Sequence, residues 1–400
     1  MSTKKVLEQI FAKLSGTSKW QLDFFIELFD LVYSIQGRLN VQNLTRYSDF
    51  NASTFSRHFK KFFDWLEFNW LLIAFAHGTP NDQFIVAIDC SFIAKSGKKT
   101  YGLDRFWSGC LGRAKKGLEI SLISLIHVQT RKAWALDCQQ TPAGLSRKEH
   151  DQKQTRIDFY MRQIENCASK LLKVRYIVAD GFYAKTKVFD TITRMNKHLI
   201  TKLRPDANLR YLYQGPHPNR QGRKKTYDGK VDFYDLERWT FNGYLDNHLE
   251  VYSVICNSPK FKRNLKVVMI LNTKTNKHVL LASTDLELDT MVIIDYYRLR
   301  FKIEFIFRDA KQYTGLNHCQ ARSKEKLNFH FNLSLAAVNM AQYQMMINPT
   351  IMSINTIKRL AYNTRFADFL FKQLRPLSKV DFISTQFSKA MEFGRMWQAA

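Results

Sequence analysis

Tyr297, Arg300, Glu304 and Lys311 stand in the stretch YRLRFKIEFIFRDAKQ (297–312), where a single glutamate sits among arginines, lysines and aromatic rings. Wound as an α-helix at roughly 100° per residue, the four fall within about 60° of one another. Leu299, Ile303, Ile306 and Ala310 make a second stripe at 4-3-4 spacing, roughly opposite, the pattern of a buried face. One side therefore packs, and the other presents a carboxylate flanked by cations and a tyrosine. The plain alternative is a solvated helix with ordinary ion pairs. Other carboxylates decide between the two. Asp89 lies near the end of QFIVAIDCSF and Asp180 closes RYIVAD, both short apolar runs that read as buried strands. Two strand-end aspartates and a helical glutamate suit two divalent ions: Mg²⁺ prefers carboxylate oxygens, and two metals can activate an attacking hydroxyl and stabilise a leaving oxygen.

The elements that must position these groups follow from the pattern of apolar residues. Residues 1–80 read as helices, including KWQLDFFIELFDLVYSI and a long run after a serine N-cap, STFSRHFKKFFDWLEFNWLLIAF. Between them LNVQNLTRYSDFNAST has the look of a helix-turn-helix with Thr54, Ser56, Arg57, Lys60 and Lys61 on its second helix, so this N-terminal region is a possible DNA contact. HGTPNDQ (77–83) ends the helices. Strands follow at QFIVAIDCSF, KGLEISLISLIHV and KAWALDCQQTP, then a helix over 149–173, the strand RYIVAD, the helix GFYAKTKVFDTITRMNK and the strand HLITKLR. The order β-β-β-α-β-α-β is that of a ribonuclease-H-like α/β domain. The expected organisation is a catalytic core from 81–204 and 291–345, interrupted by a β-rich insertion at 205–290. A helical N-terminal region (1–80) and a helical C-terminal region (346–400) flank it.

The chain has 400 residues, 45% apolar, which is ample for a large core and excludes a disordered polymer. Its net charge is +26, and the excess lies in the middle and C-terminal parts. So basic a balance implies a polyanionic partner, usually nucleic acid. Six cysteines are scattered with no CxxC pair, which argues against a structural zinc and fits a reducing cytosol. The longest apolar run, WLLIAFA, is far too short to span a membrane.

Tyr297-x2-Arg300-x3-Glu304-x6-Lys311 resembles the Y-x2-R-x3-E-x6-K signature of bacterial insertion-sequence transposases, the insertion sequence four family in particular. YIVADGFYAK resembles that family's second-aspartate motif, with Asp180 followed by Tyr183, and IVAIDCSFIAKSGKKTYGLDRFWSG resembles its first, with Asp89. A β-rich insertion before the glutamate is also a family feature. The resemblance covers roughly residues 84 to 345. It implies a DDE transposase that cuts double-stranded DNA at terminal inverted repeats and joins the freed 3′-hydroxyl to target DNA. Asp89, Asp180 and Glu304 would be its catalytic, metal-holding residues, with two Mg²⁺ ions, replaceable by Mn²⁺. Arg300 and Lys311 would hold phosphates, Tyr297 would bond a phosphate or pack on a sugar, and Tyr183 and Arg204 would join them in DNA binding. The resemblance further implies a homodimer on DNA and a place in the bacterial cytoplasm with the nucleoid. Two alternatives remain open: a ribonuclease-H-like nuclease without strand transfer, and a transposase-derived DNA-binding protein that no longer cuts.

Overall fold

Strand β1 (Phe84–Ile93) runs through the centre of the molecule, its first five residues fully buried. The computed structural model describes residues 3–145, 154–216 and 224–373. Before β1 come five helices: α1 (Thr3–Phe11), α2 (Lys19–Ser34), α3 (Val41–Arg46), α4 (Ala52–His58) and α5 (Trp65–His77). Polar caps punctuate them: Ser18, Asn40, Asn51 and Asp64 each accept a backbone N–H three residues on. The single helix expected over 53–75 is thus two. Asp64 takes the Glu67 N–H at 2.9 Å and starts a new helix where the apolar pattern alone reads as continuous. In the region with the helix-turn-helix look, Thr54 is buried and Ser56 accepts from Lys326 Nζ, whereas Arg57, Lys60 and Lys61 face outward.

After β1 come β2 (Asp104–Ser108), β3 (Arg113–His127), β4 (Lys132–Gln140), α6 (Arg156–Asn166), β5 (Tyr176–Ala179), α7 (Thr186–Arg194) and β6 (His198–Leu203). The helix expected over 149–173 is the shorter α6, opened by a Thr155–Asp158 capping box; residues 146–153 lie outside the described residues. β2 was not anticipated. It pairs only with the first residues of β3, as a hairpin running off the sheet. The core strands lie in the order β4-β3-β1-β5-β6, with β5 and β6 parallel to β1 and with β3 antiparallel between β1 and β4. This is the ribonuclease-H-like order expected from the sequence.

The following strands are β7 (Arg210–Leu212), β8 (Tyr227–Lys230), β9 (Thr240–Asp246), β10 (Leu249–Ser258), β11 (Arg263–Asn272) and β12 (Lys277–Ser283). Part of the charged run between β7 and β8, residues 217–223, lies outside the described residues. These strands extend the central sheet, because β12 pairs antiparallel with β6 and continues through β11 to β10. Pairing with β12 leaves β6 no free edge.

Helices α8 (Thr290–Leu299), α9 (Lys302–Gln312), α10 (Lys324–Ile347) and α11 (Ile354–Gln373) close the chain; 374–400, part of the expected helical C-terminal region, lie outside the described residues. α9 packs against β1 and β4, and α10 against β4, α5 and α9. A bulge in β4, where Ile123 opposes Asp137 and Ser124 opposes Ala135, leaves backbone groups without a ladder partner. Buried asparagines satisfy them. Asn339 on α10 takes the Ala135 N–H and donates to its carbonyl, and Asn69 on α5 donates to Leu136 O. Asn339 also donates to Asn69 at 3.1 Å, so these bonds fasten both helices to the sheet.

Candidate active site

Register brings the two aspartates together. Ala87 opposes Val178 in the parallel β1–β5 pair, so two residues further along Asp89, which sits in the middle of β1 rather than near its end as expected, stands beside Asp180 at the C-terminal end of β5. In α/β sheets this is the edge where ligands bind. Each carboxylate is steadied by a nearby amide. Asp89 Oδ1 accepts the Cys90 N–H at 2.8 Å, and Asp180 Oδ1 accepts the Phe182 N–H at 2.9 Å, opening a short 3₁₀ turn. Thr201 Oγ1 on β6 donates to the Asp180 carbonyl at 2.9 Å and holds that turn to the sheet.

Glu304 reaches the same place from α9, by a route that differs from the single helix expected over 297–312. α8 ends at Leu299 and α9 begins at Lys302, and between them the bonds Phe301 N to Arg298 O, Ile303 N to Arg300 O and Glu304 N to Phe301 O are of the i→i+3 kind. A 3₁₀ turn advances about 120° per residue rather than 100°. It therefore turns Arg300 inward, where it is buried, and leaves Glu304 half-exposed. The expected buried stripe of Leu299, Ile303, Ile306 and Ala310 is fully packed. The Arg300 guanidinium lies 3.5 Å from Asp89 Oδ2 and 3.8 Å from Glu304 Oε1, and it sits over the rings of Phe301 and Tyr297 at 4.4 and 5.6 Å.

Burial dominates the electrostatics of Asp89 and pushes its pKa up to about 6, against the opposing pull of the Cys90 N–H and Arg300. The nearby charges of Asp180 and Glu304, smaller causes than burial, add to the rise. Burial also raises Tyr297 and lowers Lys311, both half-buried.

The remaining expected residues fall elsewhere. Tyr183 is buried among core side chains, and its hydroxyl lies 3.5 Å from Cys90 Sγ. No phosphate reaches it there, so its expected DNA contact is corrected to packing beneath Asp89. Arg204 follows β6 and makes a two-pronged ion pair with Asp206, at 2.8 and 2.9 Å, on the exposed surface. A buried polar set behind Asp89 escaped sequence reading: Tyr160 on α6 donates to Glu119 Oε1 on β3 at 2.6 Å, beside Tyr183 and Cys90. Its signal was Glu119 itself, a lone carboxylate in the apolar run LEISLISLI.

The donor set fits a hard divalent cation. It offers carboxylate oxygens alone, with Asp180 Oδ2 free of hydrogen bonds among the described residues and Asp89 held in a carboxylate-rich setting. Among the described residues no three His, Cys, Asp or Glu side chains stand close enough together to hold a metal ion, and Arg300 supplies the positive charge between Asp89 and Glu304.

A family described as DDE superfamily endonuclease matches residues 17–241, more than half of the chain. The chain belongs to that family. Both aspartates of this DDE superfamily member lie within the match, and so do most of its N-terminal helices, which the family resemblance does not cover; Glu304 lies beyond it. No curated protein matches the chain. Among solved structures, a piggyBac transposase synaptic complex with hairpin DNA is similar at a TM-score of 0.44 and 12% identity, over 97% of this chain and 81% of that one. The NurA nuclease from Sulfolobus solfataricus is similar at a TM-score of 0.26 and 11% identity, over 73% and 85% of the two chains. Among the described residues no helix is long and apolar enough to cross a membrane.

Proposed function

We propose that this DDE superfamily endonuclease is a transposase of the insertion-sequence kind, cutting DNA at the ends of an element and joining the freed 3′-hydroxyl to target DNA. The observation that carries the reading is the placement of three carboxylates: Asp89 within β1 beside Asp180 at the end of the parallel neighbour β5, with Glu304 sharing Arg300 with Asp89. Asp89, Asp180 and Glu304 would hold two Mg²⁺ ions, or Mn²⁺, which would activate an attacking hydroxyl and stabilise the leaving oxygen. Arg300 places a guanidinium fork beside the carboxylates, where a charge-assisted bond would orient a phosphate. The rings of Tyr297 and Phe301 flank that fork, and Lys311, in the last turn of α9, would add a second cation for the DNA. Arg204, exposed beyond β6, would serve a more distant phosphate once released from Asp206. The net charge of +26 supports a double-stranded DNA partner at inverted repeats and target sites, on which the protein would act as a homodimer.

The test uses a plasmid carrying the DNA that flanks this gene, incubated with the protein and Mg²⁺ or Mn²⁺. Cut ends joined to a second plasmid support the transposase. Cuts without joining reduce the reading to a nuclease, and binding with neither reduces it to a DNA-binding protein.

A further inference from the structure

A cavity of about 490 Å³ opens beyond the C-terminal end of β1, on the edge of the sheet that carries Asp89. Its walls are the loop after β1, the loop after α9, and Arg38 ahead of α3. Arg38, Lys95, Lys98, Lys99 and Arg322 line it, with no carboxylate among the lining residues. A second hollow of about 320 Å³ shares Arg38 and Gln320 with the first, adds Arg46, and also lacks a carboxylate. Arg38, Arg46, Lys98, Lys99 and Arg322 form no side-chain hydrogen bond or ion pair among the described residues. Elsewhere on this protein exposed arginines pair with acids, as Arg204 does with Asp206 and Arg238 with Asp228. Here like charges face one concave space uncompensated, which raises its potential for an anion.

The groove is also held in shape. Lys95 Nζ donates to Cys319 O, and the Tyr101 N–H donates to Arg322 O at 2.9 Å, so the two loops form one wall. The Leu39 N–H donates to His318 Nδ1 at 3.1 Å, which ties the N-terminal helices to that wall. Close approach there requires Gly315: at φ +77° a side chain is strained, and a Cβ would stand 2.6 Å from Leu39 Cβ. Cations fixed before the ligand arrives lower the ordering cost of binding it.

We propose that this groove holds a stretch of unpaired DNA strand by its phosphates, leading from the carboxylate centre toward α3; the proposal rests on the reading of the protein as a DNA-cutting enzyme. Each hollow has the size of a small-ligand site, roughly 300–1,000 Å³, which admits a nucleotide unit and excludes a duplex. The joined hollows suit an extended polyanion better than a single phosphate. Amides at Asn40, Gln42 and Gln320 along the groove offer both donors and acceptors to base edges.

The test measures binding of a fluorescein-labelled single-stranded oligonucleotide of mixed sequence, and of its duplex, to the full chain in EDTA. Lys98 and Lys99 are exposed, so Lys98→Ala/Lys99→Ala leaves packing untouched; Arg38→Gln is the second variant. The double variant should bind the single strand about tenfold more weakly and flatten its log–log salt slope by about 1.4, while duplex affinity holds. Arg38→Gln should weaken the single strand in the same direction. Unchanged single-strand affinity in both variants, or an equal loss for the duplex, overturns the proposal. Plasmid nicking with Mg²⁺ separates the two readings. Groove-dependent binding without nicking counts against the DNA-cutting reading alone, and nicking with unchanged binding counts against the groove alone.

Discussion

Nη1 of Arg300 lies 3.5 Å from Oδ2 of Asp89, so a buried guanidinium on the turn between α8 and α9 faces the carboxylate in the middle of β1. The same group reaches Glu304 at 3.8 Å. Its Nε is buried without a hydrogen-bond partner, an unmet donor next to the place where a phosphate would lie. The arginine of the signature stretch thus pairs with two carboxylates and, on the proposed function, would offer its unmet donor to a phosphate.

Arg300→Met keeps the stem and removes the charge. Asp89 then loses its main positive neighbour, and its pKa should climb above about 6. Stability at pH 7 should fall by about 3–5 kcal/mol, as when one partner of a buried pair is removed. Carboxyl-carbon NMR titration and urea unfolding measure the two effects. An Asp89 titration unmoved by the substitution would show that Arg300 does not govern it.

The raised Asp89 pKa sets a pH dependence. The unfolded chain loses this proton near 3.8, and the folded protein keeps it until about 6. Between those values the folded state binds more protons, so stability falls as pH rises. The loss is about 3 kcal/mol at about 1.4 kcal/mol per pH unit. Asp89→Asn removes it, so the variant's melting temperature should overtake the wild type's between pH 4 and 7. Mg²⁺ at pH 7.5 should then raise the melting temperature of the wild type and leave that of Asp89→Asn nearly unchanged. Parallel curves for the two proteins from pH 4 to 7 would count against a strained Asp89.

The buried set behind the site should matter for stability and not for DNA. Tyr160→Phe leaves the Glu119 carboxylate without its donor and should cost about 1–3 kcal/mol. Tyr183→Phe loses only the long contact to Cys90 and should cost less than about 1 kcal/mol. Duplex DNA affinity, measured by anisotropy, should be unchanged in Tyr183→Phe. A marked loss would return Tyr183 to the DNA surface where the family resemblance had put it.

The candidate residues could be named because their types and the helical spacing of the signature stretch are local facts; the length of β1 beyond Asp89 was not legible, since DCSFI gives no sign that the strand runs on to Ile93. The order of the core strands was legible for the same reason, since each apolar run is short and ends in turn residues. Three further features were not. The break at Arg300–Phe301 leaves no mark in the apolar stripe, which stays in phase across it. The joining of β12 to β6 is a long-range pairing between runs that look alike, so the insertion read as a separate unit. The fate of Tyr183 depended on which side of a 3₁₀ turn faces the core, and one tyrosine in a glycine-led turn does not reveal that.

The central claim is that Asp89, Asp180 and Glu304 act as one metal-holding unit on DNA. Its most direct test is Mg²⁺-dependent cutting of the gene's flanking DNA, read on a denaturing gel for the wild type and for Asp89→Asn, Asp180→Asn and Glu304→Gln. Each substitution removes a charged oxygen without adding bulk, so each should lower cutting by about three orders of magnitude or more while DNA binding in EDTA stays near wild type. Near-normal cutting by any one of the three, with binding intact, would contradict the account.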